Sequence, residues 1–178
     1  ALVCKTQEIK NKTIFYATQA RDNAPHYEHT HIGYNYRMSN IVAGIGRGQM
    51  QVVDKHVKLR RQMHAFYQDI FDNNEDIKVF TEPDKNFYSN HWLSAITVSK
   101  NADFTREDLR LFLLEDNIES RPLWKPMHLQ PIFKDCKFYG GNVAERLFES
   151  GLCLPSGSNL TQDEKNRIKT KIKTFFNK

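Results

Sequence analysis

Long apolar runs are missing from this 178-residue chain. The richest stretch, Leu93-Ser94-Ala95-Ile96-Thr97-Val98, falls far short of the roughly 20 apolar residues that a bilayer-crossing helix needs, which excludes a helical membrane span. Cysteine is scarce as well. The three present, Cys4, Cys136 and Cys153, are odd in number, far apart and outside any C-x-x-C spacing. That argues against a disulfide framework and a cysteine zinc site, and makes a reducing, cytoplasmic compartment the expectation. No secretory leader is visible either, since Ala1-Leu2-Val3-Cys4 has neither a basic opening nor an apolar stretch behind it. Those four residues read instead as the tail of a buried strand, so the chain is expected to be a piece of something longer. Internal repeats, low-complexity tracts and nucleic-acid-reading motifs are all lacking.

What remains is ordinary globular material, 39% hydrophobic and 26% charged, with a net charge of +5. Much of the basic excess sits in Lys165, Arg167, Lys169, Lys171 and Lys173, interleaved with Ile168, Ile172 and Phe175 at helical spacing. That pattern predicts the wet face of a terminal helix, with no nucleic acid or membrane partner. Upstream, a helix is predicted over 6–18. Ser39 then caps a long amphipathic helix through Ile41, Ile45, Val52, His56, Leu59, Met63, Phe66 and Ile70 to about residue 73. Gly44, Gly46 and Gly48 fall in its first turns, where each costs about 1 kcal/mol relative to alanine, so another backbone or a ligand is expected close by. Beyond it the pattern predicts strands at 77–80, 91–98 and 118–121, helices after Thr105 and over 142–150, and a short apolar edge at 152–154. A Thr161/Glu164 capping box precedes the last helix. The sum is a long helix leading into a small α+β lobe whose strands helices cover on one face.

Two segments are too rich in aromatic and hydrogen-bonding side chains to be mere connections. One, residues 26–40, carries His26, Tyr27, His29, His31, Tyr34, Asn35, Tyr36 and Arg37; the other, residues 120–131, carries Arg121, Trp124, Lys125 and His128 among three prolines. A site is expected where the two meet. The histidines of the first are spaced too irregularly to argue for a metal. Arg37 and Arg121 suit a carboxylate or phosphate as well as a salt bridge. Tyr36 and Trp124 could stack on a ring or plug the core, and His128 could touch a ligand or satisfy a carbonyl.

Taken together, Tyr27-Glu28-His29, the run from Gly33 to Asn40 with the glycine-rich helix start, the Arg121-to-His128 segment and Gly151-Leu152-Cys153-Leu154-Pro155-Ser156-Gly157 resemble the DegT/StrS family of pyridoxal-phosphate nucleotide-sugar aminotransferases. The resemblance implies an α/β fold of the fold-type-I aminotransferase kind. Residues 1–38 would be the tail of the large cofactor domain with a dimer-interface loop, 39–73 a connecting helix and 74–178 the small C-terminal domain. It implies that the Schiff-base lysine lies upstream, so that this chain alone is inactive and holds no catalytic residue. Asn35 would reach the phosphate of the cofactor bound by the partner subunit of a homodimer. His26, Tyr27, His29 and Arg37 would border that interface and the sugar pocket, and Arg121, Trp124, Lys125 and His128 would hold the nucleotide diphosphate. The parent would move an amino group from glutamate to a 4-keto-6-deoxy sugar on a nucleoside diphosphate, in cell-surface polysaccharide or glycan sugar biosynthesis. A related sugar dehydratase and a non-catalytic nucleotide-sugar-binding module remain alternatives.

Overall fold

The computed structural model describes residues 2–177, which fall into two compact units, Ala1–Val52 and Val53–Lys178. In the first unit, α1 (Gln7–Ala17) starts where Thr6 Oγ accepts the Ile9 N–H at 3.2 Å and ends where the Thr18 hydroxyl donates to the Ile14 carbonyl at 2.7 Å. Gln19 and Ala20 follow in the left-handed region, at φ +70° and +49°, and reverse the chain. Residues 21–38 then fold back onto the end of α1. Gly33 lies so close to the fully buried Ala20 that a Cβ there would stand 2.6 Å from the Ala20 methyl, closer than atoms pack.

Ser39 caps α2 (Asn40–Met50) as predicted, accepting the Val42 N–H at 3.2 Å. Two expectations for this region need correction. Residues 2–4 form no strand, because the described residues of the unit supply no strand to pair with them, and Leu2 and Val3 are exposed. The helix read as continuous to residue 73 is interrupted at Gln51–Val52 and resumes as α3 (Val53–Phe71). The three glycines and the paired β-branched valines weaken it there. Nothing among the described residues comes within 4 Å of a Cβ built on Gly44, Gly46 or Gly48, and no residue of α2 is buried.

The second unit is built on an antiparallel sheet. After α3 come β1 (Ile77–Val79), β2 (Ser94–Val98), α4 (Arg106–Leu114), β3 (Arg121–Pro122), two short 3-10 turns, α5 (Val143–Ser150), β4 (Gly151–Leu154) and α6 (Gln162–Phe176). Strand order is β1-β2-β4-β3. Residues 152–154, expected at an edge, therefore lie inside, flanked by β2 and β3. The strand expected at 118–121 contributes only Arg121 and Pro122, opposite Cys153 and Leu152; proline has no N–H to extend the ladder. Residues 91–93 stay outside β2, because His91 sits at φ +45°.

Because side chains alternate across a strand, β2 and β4 have two distinct faces. Ile96, Val98, Leu152 and Leu154 point into the core, where they meet helical residues spaced by four: Met63, Tyr67 and Phe71, then Leu109 and Leu113, then Ile168 and Ile172. The Tyr67 hydroxyl crosses this core to donate to the Pro155 carbonyl at 2.8 Å. Burial pushes its phenol far above the ordinary range, so it stays a donor. Thr105 with Asp108 and Thr161 with Glu164 form full capping boxes at α4 and α6. The last helix is less wet than predicted: Lys171 lies over the Phe112 ring at 3.8 Å and bonds Glu115 and Asp116, each at 3.2 Å. Among the described residues no helix is long and apolar enough to cross a membrane.

On the opposite face, Gly151 lies directly against the Leu123 side chain and the Leu147 carbonyl, leaving no space for a Cβ. Gly151→Ala should therefore lower stability by about 1–3 kcal/mol through overpacking. Urea denaturation of the chain measures this, and an unchanged midpoint would contradict the packing described.

Candidate functional site

In the first unit the predicted site residues share one exposed loop whose backbone is pinned. Tyr34 N–H donates to the Tyr16 carbonyl at 3.2 Å, Tyr36 N–H to the Ala17 carbonyl at 3.0 Å, and Gln19 N–H to the Tyr34 carbonyl at 3.1 Å. These bonds saturate carbonyls that the end of α1 leaves open, and they fix Asn35 between two anchored neighbours while its side chain stays exposed. His29 Nδ1 lies 3.0 Å from the Gln19 carbonyl, and its ring stacks on Tyr27 at 6.5 Å. The Arg21 guanidinium also lies over the Tyr27 ring, 4.2 Å from its centroid. His26 pairs with Glu28 at 2.9 Å, and Arg37 is exposed. Asp22 ties the loop down through its carboxylate, which accepts from the Thr30 N–H and hydroxyl. No group of three or more His, Cys, Asp or Glu among the described residues is placed to hold a metal.

In the second unit the face of the sheet turned away from the core carries an open cavity of about 460 Å³. Ala95 and Cys153, opposite each other on β2 and β4, lie in its lining together with Leu123. Its sides are aromatic: Phe80, Phe87, Tyr88, Trp92 and Trp124. The two tryptophan rings stand 6.0 Å apart at 36°, and both are more than half exposed. Burial pushes the Cys153 thiol up, so it is a small neutral surface rather than a nucleophile.

Of the second predicted cluster, the structure brings Trp124 into this cavity and leaves Arg121, Lys125 and His128 outside its lining. Arg121 is exposed and bonds one Glu119 oxygen twice, at 2.9 and 2.7 Å. Water competes freely at such a pair, so the guanidinium is exchangeable. Lys125 is exposed. His128 is mostly covered: Nε2 lies 2.7 Å from Glu145 Oε1, and the ring stacks on Phe138 at 3.7 Å. These contacts anchor the 120–131 segment to α5.

Sequence reasoning missed Trp92, Phe87 and Tyr88, although Phe87-Tyr88-Ser89-Asn90-His91-Trp92 is as dense in ring and polar groups as the two segments it singled out. It also missed what fixes them. Residues 80–92 are fastened to α3: Arg61 Nη1 donates to Glu82 Oε1 at 2.8 Å and to the Ser89 carbonyl, Arg60 donates to the Trp92 carbonyl, and His64 Nε2–H to the Phe80 carbonyl at 2.8 Å. Buried His91 stacks face to face on buried His64, with centroids 3.7 Å apart and planes at 17°, and its Nε2 lies 3.2 Å from the same Glu82 oxygen. The Arg61 bond, with support from backbone N–H groups of Glu82 and Ser89, holds the Glu82 carboxyl down at about 2. Burial, then the neighbouring His64, holds the His91 imidazole below its ordinary range.

The sequence pattern of the DegT/DnrJ/EryC1/StrS aminotransferase family matches residues 1–173. Among curated proteins the chain is 42% identical over 171 residues to EpsN of Bacillus subtilis (strain 168), named as a pyridoxal phosphate-dependent aminotransferase, covering 94% of this chain and 43% of that protein. It is 32% identical over 152 residues to the GDP-perosamine synthase of Vibrio cholerae, covering 85% of this chain and 41% of the other. Among solved structures, Helicobacter pylori PseC, an aminotransferase involved in the biosynthesis of pseudoaminic acid, superposes with a TM-score of 0.80 at 19% identity over 98% of this chain and 48% of its own. The aminotransferase TlmJ from Streptoalloteichus hindustanus gives 0.80 at 17% identity, over 96% and 45%. The chain thus spans less than half the length of each, and the structural likeness carries the expected α/β aminotransferase fold. The chain belongs to the DegT/DnrJ/EryC1/StrS aminotransferase family.

Proposed function

We propose that this chain is the C-terminal part of a pyridoxal phosphate-dependent enzyme. That enzyme moves an amino group from glutamate to a 4-keto-6-deoxy sugar carried on a nucleoside diphosphate, acts as a cytoplasmic homodimer, and serves cell-surface polysaccharide or glycan sugar biosynthesis. Residues 1–38 belong to the cofactor domain, 39–73 connect, and 74–178 form the small domain. Pyridoxal phosphate, when bound, supplies the electron sink that makes amino transfer between carbons accessible. The residues present fit one end of that group and not the whole. No lysine among the described residues is buried, so none suits a Schiff base, and the chain alone is inactive.

The observation that carries the reading is Asn35, an exposed carboxamide on a backbone fixed from both sides. Its N–H groups can donate to a phosphate oxygen without adding charge, and the pinned loop removes the cost of ordering it on binding. Because Asn35 serves the partner's cofactor in this reading, His26, Tyr27, His29 and Arg37 border the subunit interface and the sugar. The bare α2, with three glycines and exposed Ile41 and Ile45, supports a covered position in the complete protein. On the second unit, Trp124 and Trp92 cover the planar face of the base, and the exchangeable Arg121 and Lys125 neutralise the diphosphate. His128, which holds the loop that presents them, borders the same diphosphate.

In the full-length dimer, Asn35→Ala should weaken cofactor retention about 10- to 100-fold, the worth of a hydrogen bond to a charged group. The cofactor's absorbance after dialysis measures this, and full retention would remove the assignment. Trp124→Ala should weaken nucleoside diphosphate binding by about tenfold, the lower range of base stacking on an aromatic side chain, and leave the glutamate KM unchanged. Equal effects on both substrates would place the base elsewhere.

A further inference from the structure

Residues 80–92 form a strap that carries Phe87, Tyr88 and Trp92 to the cavity, and its side-chain fastenings run to α3. Those of Arg60 and His64 run to the Trp92 and Phe80 carbonyls, while that of Arg61 meets two groups of the strap itself on a single carboxylate oxygen. Glu82 Oε1 accepts from Arg61 Nη1 at 2.8 Å, from the Ser89 N–H at 3.1 Å and from His91 Nε2–H at 3.2 Å. His91 is buried and in the left-handed region at φ +45°, where its N–H donates to Ser89 Oγ at 3.0 Å. A side chain so placed persists only where its surroundings hold it, and here the holding groups are the ion pair and the stacked ring of His64.

The charges around His91 decide what a proton does there. From α3 it faces Arg61 and His64, with Asp54 and Lys58 lining the same hollow; from the strap it faces Glu82 and Tyr88; from β4, Cys153 shares its cavity. A charged His91 would be drawn to Glu82, but it would be buried, flat on the His64 ring at 3.7 Å and beside the Arg61 guanidinium, and these opposing effects are the larger ones. We propose that Arg61, His64, Glu82 and His91 are positioning residues for the aromatic wall: they hold Trp92 against Trp124 while His91 is neutral, and the strap comes away from α3 when His91 takes up a proton.

The sign follows from linkage. Burial and the nearby His64 hold the docked imidazole below its ordinary 6.5, a value it regains once released. The released strap therefore binds the proton more tightly than the docked one. Docking is fully held above that ordinary value and is lost as pH falls through the lower, docked one.

The chain has two tryptophans, both in this wall, so its intrinsic fluorescence reads the strap directly and independently of any nucleotide or cofactor. Between about pH 7.5 and about pH 5 the emission maximum of the 178-residue chain should move to longer wavelength while far-UV circular dichroism stays constant. His91→Phe, which keeps a stacking ring but cannot titrate, should abolish the shift. Glu82→Gln should show displaced emission already at neutral pH. Emission that is flat with pH, a shift retained in His91→Phe, or a shift that coincides with loss of the dichroism signal would each overturn the proposal. Should His91→Phe fail to fold, the ring resonances of His91 in the unaltered chain decide: a titration below the ordinary 6.5 that tracks the emission shift supports the strap, and one at or above 6.5, or one that the emission does not follow, overturns it.

Discussion

The pairing of β2 with β4 is the constraint on which the larger unit depends. Setting Ser94 opposite Leu154 and Thr97 opposite Gly151 joins segments that are more than fifty residues apart, and it sorts their side chains onto two faces in one step. Ile96 and Leu152 go to the core with α3, α4 and α6, while Ala95 and Cys153 go to the cavity. A slip of one residue would exchange these sets, placing a thiol among leucines and opening the core to solvent. The register is reinforced at its end, where Ser156 Oγ accepts the buried Ser94 N–H and donates to the Leu154 carbonyl, both at 2.7 Å.

From that pairing the cavity follows. Its lining is supplied by two strands already committed to each other, and its walls by two loops that leave the sheet nearby: the strap before β2 and the segment after β3. Neither loop is held by the sheet alone. Arg61 and His64 of α3 fasten the strap, and Glu145 of α5 fastens the other loop through His128. The core helix α3 thus does two jobs, burying one face of the sheet and aiming aromatics of the other, while α5, which contributes no core residue, holds the second loop.

How much of this could be read from the sequence depended on how local the physics was. Capping residues announce themselves within four positions, which is why Ser39, Thr105/Asp108 and Thr161/Glu164 were found where they act. The buried face of α3 was read one position off after Met63: the apolar period named Phe66 and Ile70, which are partly buried, whereas Tyr67 and Phe71 reach the core. Strand order was not legible, and an inner strand read as an edge because Gly151 to Leu154 is only four residues long. The candidate site divides the same way. Trp124 was recognisable from its own loop, whereas Glu82 and His91 gain their significance only from Arg61 and His64, more than fifteen positions away.

The contact between Ala20 and Gly33 has a bearing on how Asn35 can be engineered. Ala20 is fully buried at a positive φ, and Gly33 rests on its methyl group. The gap between the two strands of the loop is therefore one methyl group deep, and it sets the height at which Tyr34 and Tyr36 meet the end of α1. A larger side chain at either position would act as a shim, lifting that rung and rotating the carboxamide of Asn35 without touching it. The aim of the most suggestive polar group in this unit is thus set by the two smallest side chains near it.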